Sequence, residues 1–311
     1  MPRIIEIVES NKRLHLEYGS LVVRDSEGVL LDRIDLDEIL GIICYPHGSM
    51  LSAALMAELA QRAIPLVVSD QKFQPTGILL PVVGNYEQSA RIEAQIGATV
   101  PQKKQIWTSV VKTKLRMQAM ALELVGSNPS RILKLAERVK SGDSENLEAQ
   151  GARVYWPALF GSDFRRNRDL VGINALLNYG YAILRASVAR AATSAGLNPS
   201  IGIFHRNAYN GLRLVDDLME PYRPLVDLRV HALVQSGFLE VSPIAKRALV
   251  DVLLTDVPHI RGNTPISVAT QYTAISFIQA LKREVRDVEY PNPSTNPLYI
   301  DFHTLADWAK L

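Results

Sequence analysis

A carboxylate, an imidazole and a second group of carboxylates stand out in this chain because each is set among apolar or aromatic neighbours. In Glu148-Ala149-Gln150-Gly151-Ala152-Arg153-Val154-Tyr155-Trp156, a period of 3.6 residues places Glu148, Ala152 and Tyr155 on one face. That face is small and aromatic, so its carboxylate has to be ion-paired, protonated or bound to a metal. Arg153 or another nearby arginine is the simplest partner. His205 closes Ile201-Gly202-Ile203-Phe204-His205, after a turn at Gly196-Leu197-Asn198-Pro199. Its imidazole can be a hydrogen-bonded core group or, when neutral, a metal ligand. The third group is Asp216-Asp217-Leu218-Met219-Glu220. On a helix, Asp217 and Glu220 are three apart and Asp216 and Glu220 four apart, so like charges crowd one face. A bound cation relieves that repulsion, and so does a solvated surface with Arg213 and Arg223 nearby. Pro221 and Pro224 re-aim the backbone just beyond.

Together these positions supply carboxylate, imidazole and carboxylate from separate helices or turns. Oxygen ligands suit Mg²⁺ or Mn²⁺, and one histidine favours tolerance of Mn²⁺. Arg153, Arg165, Arg166, Arg168, Arg206, Arg213, Arg223 and Arg229 surround them in sequence, and guanidinium forks match phosphate oxygens. Such a set suits phosphodiester chemistry, with the metal at the phosphate and arginines on the backbone. Other chemistries lack their signatures: the chain has no Gly-x-x-x-x-Gly-Lys-Ser/Thr, no His-Glu-x-x-His and no Gly-x-Ser-x-Gly.

The elements that must position these residues follow from pattern. Residues 1–85 read as strands at Ile4–Val8, Leu14–Tyr18, Leu21–Arg24, Val29–Ile34, Leu40–Cys44, Leu66–Ser69 and Ile78–Val83, with Ser26-Glu27-Gly28 as a tight turn. Leu51, Leu55, Leu59 and Ile64 predict one helix among them, with Ser49 as its cap. From residue 86 to 311 the pattern is helical. Pro101 falls in a first turn, and Gly126 with Pro129 stops that helix. Further helices are predicted at 130–140, 144–160, 169–195 (ending at Gly196), 210–220, 224–236, 242–254 and 264–286. The fold class is α+β: a β-sandwich-like domain with one helix, then a mainly α-helical domain carrying the candidate site.

Composition narrows the setting. The chain has 311 residues, 47% apolar, and a net charge of only +2. Residues 1–85 carry 7 Lys+Arg against 11 Asp+Glu and the remainder 27 against 21, so the front is acidic and the back basic. The single cysteine, Cys44 in Ile42-Ile43-Cys44-Tyr45, reads as a buried small hydrophobe. It forms no internal disulfide or thiolate zinc site, which fits a cytoplasmic location. Neither a signal peptide nor an apolar run long enough for a membrane span is evident.

Four motifs carry a resemblance. The Glu148 segment, Leu177-Asn178-Tyr179-Gly180-Tyr181-Ala182-Ile183-Leu184-Arg185, Gly196 through His205, and Leu214 through Pro224 resemble, in order, motifs of the CRISPR-associated spacer-acquisition integrases, also called endonucleases. The front domain resembles that family too, and form and size are most similar to type II members. The resemblance implies that Glu148, His205 and Glu220 are metal ligands for Mg²⁺ or Mn²⁺, and that Asp217 is an additional acidic catalytic position. Many members carry aspartate where this chain has Glu220. It further implies a homodimer with residues 1–85 as the dimerisation domain. Two dimers would flank a dimer of a small ferredoxin-like partner, a heterohexamer holding double-stranded prespacer DNA and acting on the CRISPR repeat. Arg165, Arg166, Arg206 and Arg223 are the candidate DNA contacts. The implied reaction is attack by a prespacer 3′-hydroxyl on the repeat, with hydrolysis at the same site. A non-catalytic DNA-binding scaffold and a plain structure-selective, metal-dependent nuclease are the alternatives.

Overall fold

The computed structural model describes residues 3–7, 9–44, 48–69, 75–167, 169–205 and 207–292. Arg168, Arg206 and the proline-punctuated stretch beyond Asn292 lie outside the described residues. Contacts divide the chain into two units, Met1–Tyr86 and Glu87–Leu311.

The first unit is built from short β-branched runs. In chain order it contains β1 (Arg3–Ile7), β2 (Arg13–Glu17), β3 (Ser20–Arg24), β4 (Leu30–Asp35), β5 (Ile39–Cys44), β6 (Met50–Leu51), α1 (Ala53–Gln61), β7 (Leu66–Ser69) and β8 (Pro75–Leu79). Two four-stranded sheets result, ordered β1-β5-β7-β8 and β4-β3-β2-β6. The β2–β3 hairpin pairs Glu17 with Ser20. Its two turn residues, Tyr18 and Gly19, both take positive φ (48° and 76°), the geometry that matches strand twist in a two-residue hairpin. Ile7, Ile39, Ile42 and Leu66 from one sheet, Leu14, Leu21 and Ile34 from the other, and Leu55 and Leu59 from α1 share one core. Cys44 is buried in it, and burial pushes its thiol pKa up.

Two details depart from the sequence reading. Ser52, not Ser49, caps α1, accepting from the Leu55 N–H, because Met50 and Leu51 pair with β2 instead of entering the helix. Strand β8 ends at Leu79 rather than Val83. Pro81 has no N–H to continue a ladder, and Val82 and Val83 are exposed.

The second unit contains α2 (Gln88–Gly97), α3 (Val100–Leu124), α4 (Ser130–Arg138), α5 (Leu147–Phe160), α6 (Ile173–Ser194), α7 (Arg213–Met219), α8 (Arg223–Gln235), α9 (Pro243–Val250), a two-stranded ribbon of β9 (Asp256–Val257) and β10 (Thr264–Pro265), and α10 (Ile266–Leu281). Thr99 and Gln102 form a reciprocal capping box at the start of α3, with Pro101 in its first turn. At the far end Gly126 takes φ 75° and the Ser127 N–H reaches back to Leu122, the glycine-terminated geometry that ends helices. Gly196 ends α6 in the same way, with the Leu197 N–H bonded to Ala192. Helix α3 packs against α4, α5 and α8, and α6 against α7, α8, α9 and α10. Between α7 and α8 the chain tightens into a 3₁₀ turn over Glu220–Tyr222, the re-aiming expected around Pro221. No helix among the described residues is long and apolar enough to cross a membrane.

Candidate metal centre

Glu148 sits in the first turn of α5 because the chain caps that helix twice. Asn146, in left-handed conformation, accepts from the Ala149 N–H. The buried Asp143 carboxylate accepts from the N–H groups of Leu147 (2.8 Å) and Glu148 (3.1 Å). Helix α5 then lies hard against α3. A Cβ on Gly151 would fall 2.3 Å from Leu115 Cδ2, so any other residue there forces the Leu115 side chain to shift. Facing Glu148 across the contact is Lys114, whose Nζ donates to Glu148 Oε1 at 2.5 Å.

The same ammonium lies 2.5 Å from Glu220 Oε2. That second approach is off hydrogen-bonding direction, and Glu220 Oε2 is a buried oxygen that accepts no hydrogen bond. Arg223 Nε lies 3.0 Å from the other oxygen of Glu220, and its guanidinium also lies over the Tyr181 ring, 4.7 Å from the centroid. Burial alone would raise the Glu220 pKa, but Arg223 and Lys114 outweigh it and hold the carboxyl at about 2. Burial likewise works against the Lys114 charge, yet Glu220 and Glu148 keep its pKa above the ordinary lysine value. Both residues are therefore charged at neutral pH.

His205 is brought to this place by Asp217, which is fully buried. Its carboxylate accepts from the backbone N–H groups of Ile203 (2.6 Å), Phe204 (3.1 Å) and His205 (3.3 Å), and it contacts His205 Nδ1 at 2.5 Å. Gly202 allows the loop to fold this tightly, since a Cβ there would meet Arg213 Cβ at 2.9 Å and Asp217 Oδ2 at 3.0 Å. The hydrogen bond to Asp217 raises the His205 pKa, against a smaller opposing effect of burial, and the charges of Glu220 and Asp216 add to the rise. With Nδ1 on a carboxylate, Nε2 is the ring nitrogen left to bind a metal, the arrangement common behind metal-bound histidines. Phe204 stacks in parallel on the buried Trp107 of α3, centroids 4.3 Å apart, which fixes the other side of the loop.

The crowding expected among the three acids is relieved one acid at a time. Asp217 faces the histidine loop, Glu220 faces Lys114 and Arg223, and Asp216 turns to Arg185, whose Nε and Nη2 reach it at 2.8 and 2.9 Å. The face is not a solvated one: Asp217 and Glu220 are 0% and 5% exposed. Arg213, expected opposite the acids, donates to the Ser200 carbonyl instead. Nor does Arg153 pair with Glu148; Arg153 is exposed and Lys114 takes that part. Among the candidate DNA contacts, Arg165 is exposed and donates to the Ser162 and Phe164 carbonyls. Arg166 donates to Asn174 and Asn178. The Arg223 guanidinium faces Glu220 rather than solvent, and Arg206 lies outside the described residues.

Among the described residues, no three Asp, Glu, His or Cys side chains converge closely enough to enclose a metal ion. A monovalent cation, the Lys114 ammonium, stands between the two glutamates, 2.5 Å from an oxygen of each. Its presence shows that they can share a cation. Two carboxylates and an imidazole nitrogen are the kinds of donor that suit Mg²⁺ or Mn²⁺. Sequence reasoning missed Lys114 and Asp143. Lys114 had a signal, a lone charge on the apolar face formed by Trp107, Val110, Val111 and Met117; Asp143 had none beyond its place before a helix.

The model of the family described as CRISPR associated protein Cas1 matches residues 5–257. The chain belongs to the Cas1 family. Among curated Cas1 relatives it is 36% identical to "CRISPR-associated endonuclease Cas1" of Neisseria meningitidis, over 79% of this chain and 82% of that protein. It is 31% identical to a Pyrobaculum aerophilum protein of the same description, over 81% and 89%. The structure resembles a Cas1 protein from Thermotoga maritima with a TM-score of 0.73 at 16% identity, covering 90% of this chain and 97% of that one. It resembles a casposase bound to its integration product with a TM-score of 0.79 at 21% identity, covering 99% and 98%. The Cas1-like fold, a β-rich front followed by a helical part, thus agrees with the α+β reading.

Proposed function

We propose that this chain is a metal-dependent DNA endonuclease and integrase of CRISPR adaptation. It joins prespacer 3′-hydroxyl ends into the CRISPR repeat by transesterification. The observation that carries the reading is the meeting of Glu148, from α5, and Glu220, from the turn between α7 and α8, on the Lys114 ammonium, together with a histidine whose Nδ1 is held by Asp217.

Glu148, His205 and Glu220 would hold Mg²⁺ or Mn²⁺. When bound, such an ion supplies a Lewis acid that acidifies an attacking hydroxyl and offsets charge on the scissile phosphate. The residues of this chain do the positioning. Asp217 fixes the His205 tautomer and ring direction through Nδ1. Asp143 sets Glu148 at the head of α5, and Arg223 keeps Glu220 ionised in a buried place. Arg165 and Arg166 stand on the stretch between α5 and α6, where guanidinium groups can meet backbone phosphates. Residues 86–311 form the catalytic part in this reading and residues 1–85 the dimerisation domain. The active form is a cytoplasmic homodimer assembled with a small ferredoxin-like adaptation partner on double-stranded prespacer DNA. Solved structures of similar fold include a Cas1–DNA complex and a Cas6-RT-Cas1–Cas2 complex, which supports both kinds of partner.

The test is strand transfer. Protein and partner are mixed with a 3′-hydroxyl duplex and a repeat-bearing plasmid, in Mn²⁺ or chelator, with wild type and Glu148→Ala compared. Joined product that needs both metal and Glu148 is expected. Cutting without joining would indicate a plain nuclease, and DNA binding that ignores metal would indicate a scaffold.

A further inference from the structure

We propose that Lys114 is an internal counter-ion that occupies the place between Glu148 and Glu220, and that it must leave this place for a divalent ion to bind, so that it sets how tightly the site takes metal. The inference rests on the reading of Glu148 and Glu220 as metal ligands.

The argument begins with where the charge is. Lys114 projects from the buried side of α3, where Val110, Val111, Leu115 and Gln118 are all buried and Lys114 itself is 9% exposed. An ammonium in such a place is strongly unfavourable unless paired. Its pairing is complete: Nζ touches one oxygen of each glutamate at 2.5 Å. With Arg223 on the second oxygen of Glu220, two cations face two carboxylates and the group is neutral.

A divalent ion added to that group would contact the same oxygens that hold the ammonium. The two cations would then lie within contact distance in a buried setting, where their repulsion is scarcely screened. One must go, and Lys114 is the one on a flexible four-carbon stem. Arg223 has less freedom, because its guanidinium lies over the Tyr181 ring. The exchange can favour the metal for two reasons. A divalent charge satisfies both carboxylates more strongly than an ammonium does, and in the proposed reading it is coordinated by the Nε2 of His205 as well, where an ammonium would gain at most a hydrogen bond. Until then Lys114 keeps the half-buried Glu148 and the buried Glu220 from repelling each other, which keeps α5 and the α7–α8 junction registered on α3.

The experiment is a Mn²⁺ titration by calorimetry on the full-length protein without DNA, comparing wild type, Lys114→Met and Glu148→Gln, with melting curves in chelator and in Mn²⁺. If the ammonium fills the place most of the time, removing it raises the fraction of competent sites and tightens Mn²⁺ binding by about tenfold or more. Lys114→Met should also melt lower than wild type in chelator and recover in Mn²⁺. Unchanged or weaker Mn²⁺ binding by Lys114→Met, while wild type binds and Glu148→Gln does not, overturns the counter-ion role and leaves the ligand assignment standing. No Mn²⁺ binding in wild type and Lys114→Met alike removes the ligand assignment and the counter-ion role together. Should Lys114→Met fail to fold, Lys114→Gln is titrated in its place. Acetylation of Lys114 by acetic anhydride in the wild-type protein, read by mass spectrometry, gives a measure that needs no variant. Labelling should rise on adding Mn²⁺, and labelling that does not change refutes the displacement.

Discussion

Asp227 of α8 offers a quantitative check on the electrostatics beneath the candidate centre. It is 1% exposed and accepts from the Tyr155 hydroxyl at 2.9 Å and from the Tyr181 hydroxyl. Tyr155 lies two turns beyond Glu148 on α5, and Tyr181 carries Arg223 on its face, so the carboxyl ties three helices together under the site. Burial pushes its pKa up to about 7 from an ordinary 3.8, against the opposing pull of Tyr181, Tyr155 and Arg223. A carboxyl with a raised folded pKa binds its proton more tightly in the folded state. Its favourable contribution is therefore complete below pH ~4 and is lost as pH rises to about 7. A shift of about three units corresponds to about 4 kcal/mol in all, and about 3 kcal/mol of it falls between pH 5 and pH 8. Asp227→Asn keeps the shape and cannot titrate. Urea unfolding followed by tryptophan fluorescence is a suitable assay, because Trp107 on α3 and Trp156 on α5 belong to the second unit. Between pH 5 and pH 8 the wild-type unfolding free energy should fall by about 3 kcal/mol more than that of Asp227→Asn. Parallel pH profiles for the two proteins would refute the claim that Asp227 is protonated by burial at mildly acid pH.

Two further outcomes are expected. In NMR titrations His205 should show a pKa above 6.5 that moves down in Asp217→Asn; the stabilising pair is present below about pH 6.5 and is lost as pH rises through the higher folded value, and Asp217→Asn should weaken Mn²⁺ binding in calorimetry. Gly151→Ala should destabilise the second unit by about 1–2 kcal/mol in urea, because overpacking at α3 exceeds the gain in helix propensity, and it should slow strand transfer by shifting Glu148 relative to Glu220.

Much of this architecture was open to the reading of residue patterns, for physical reasons that differ by element. Helices α3 and α6 announce themselves because their ends carry local chemistry: Pro101 at a start, Gly126 and Gly196 at stops. Ser49 and Ser52 are equally good caps by type, and the choice falls to Ser52 only because Met50 and Leu51 pair with β2, a long-range fact. The apolar run into Val83 looks like strand, yet β8 stops at Leu79, ahead of Pro81, which has no N–H to carry a ladder on. Glu148, His205, Asp217 and Glu220 could be singled out because each breaks an apolar pattern. Their partners could not. Arg153 is the nearest cation to Glu148 in sequence, whereas the fold supplies Lys114 from another helix. Asp227 lies in a run buried from Pro224 to Val230, and nothing local tells that two tyrosines from α5 and α6 meet it.

The scattering of the centre along the chain has a consequence for the order in which the molecule comes into being. Synthesis proceeds from the N-terminus, and contacts between distant segments close late because of the loop entropy they require. Lys114 and Glu148 emerge first and can meet as a plain ion pair on the α3–α5 contact. Glu220 and the loop that Asp217 stitches around His205 emerge only later. A growing or partly unfolded chain therefore carries a neutralised fragment of the site and not the site itself. For a protein proposed to break and join DNA strands, the chemistry is withheld until the whole helical unit has closed, and it is withdrawn again whenever that unit opens.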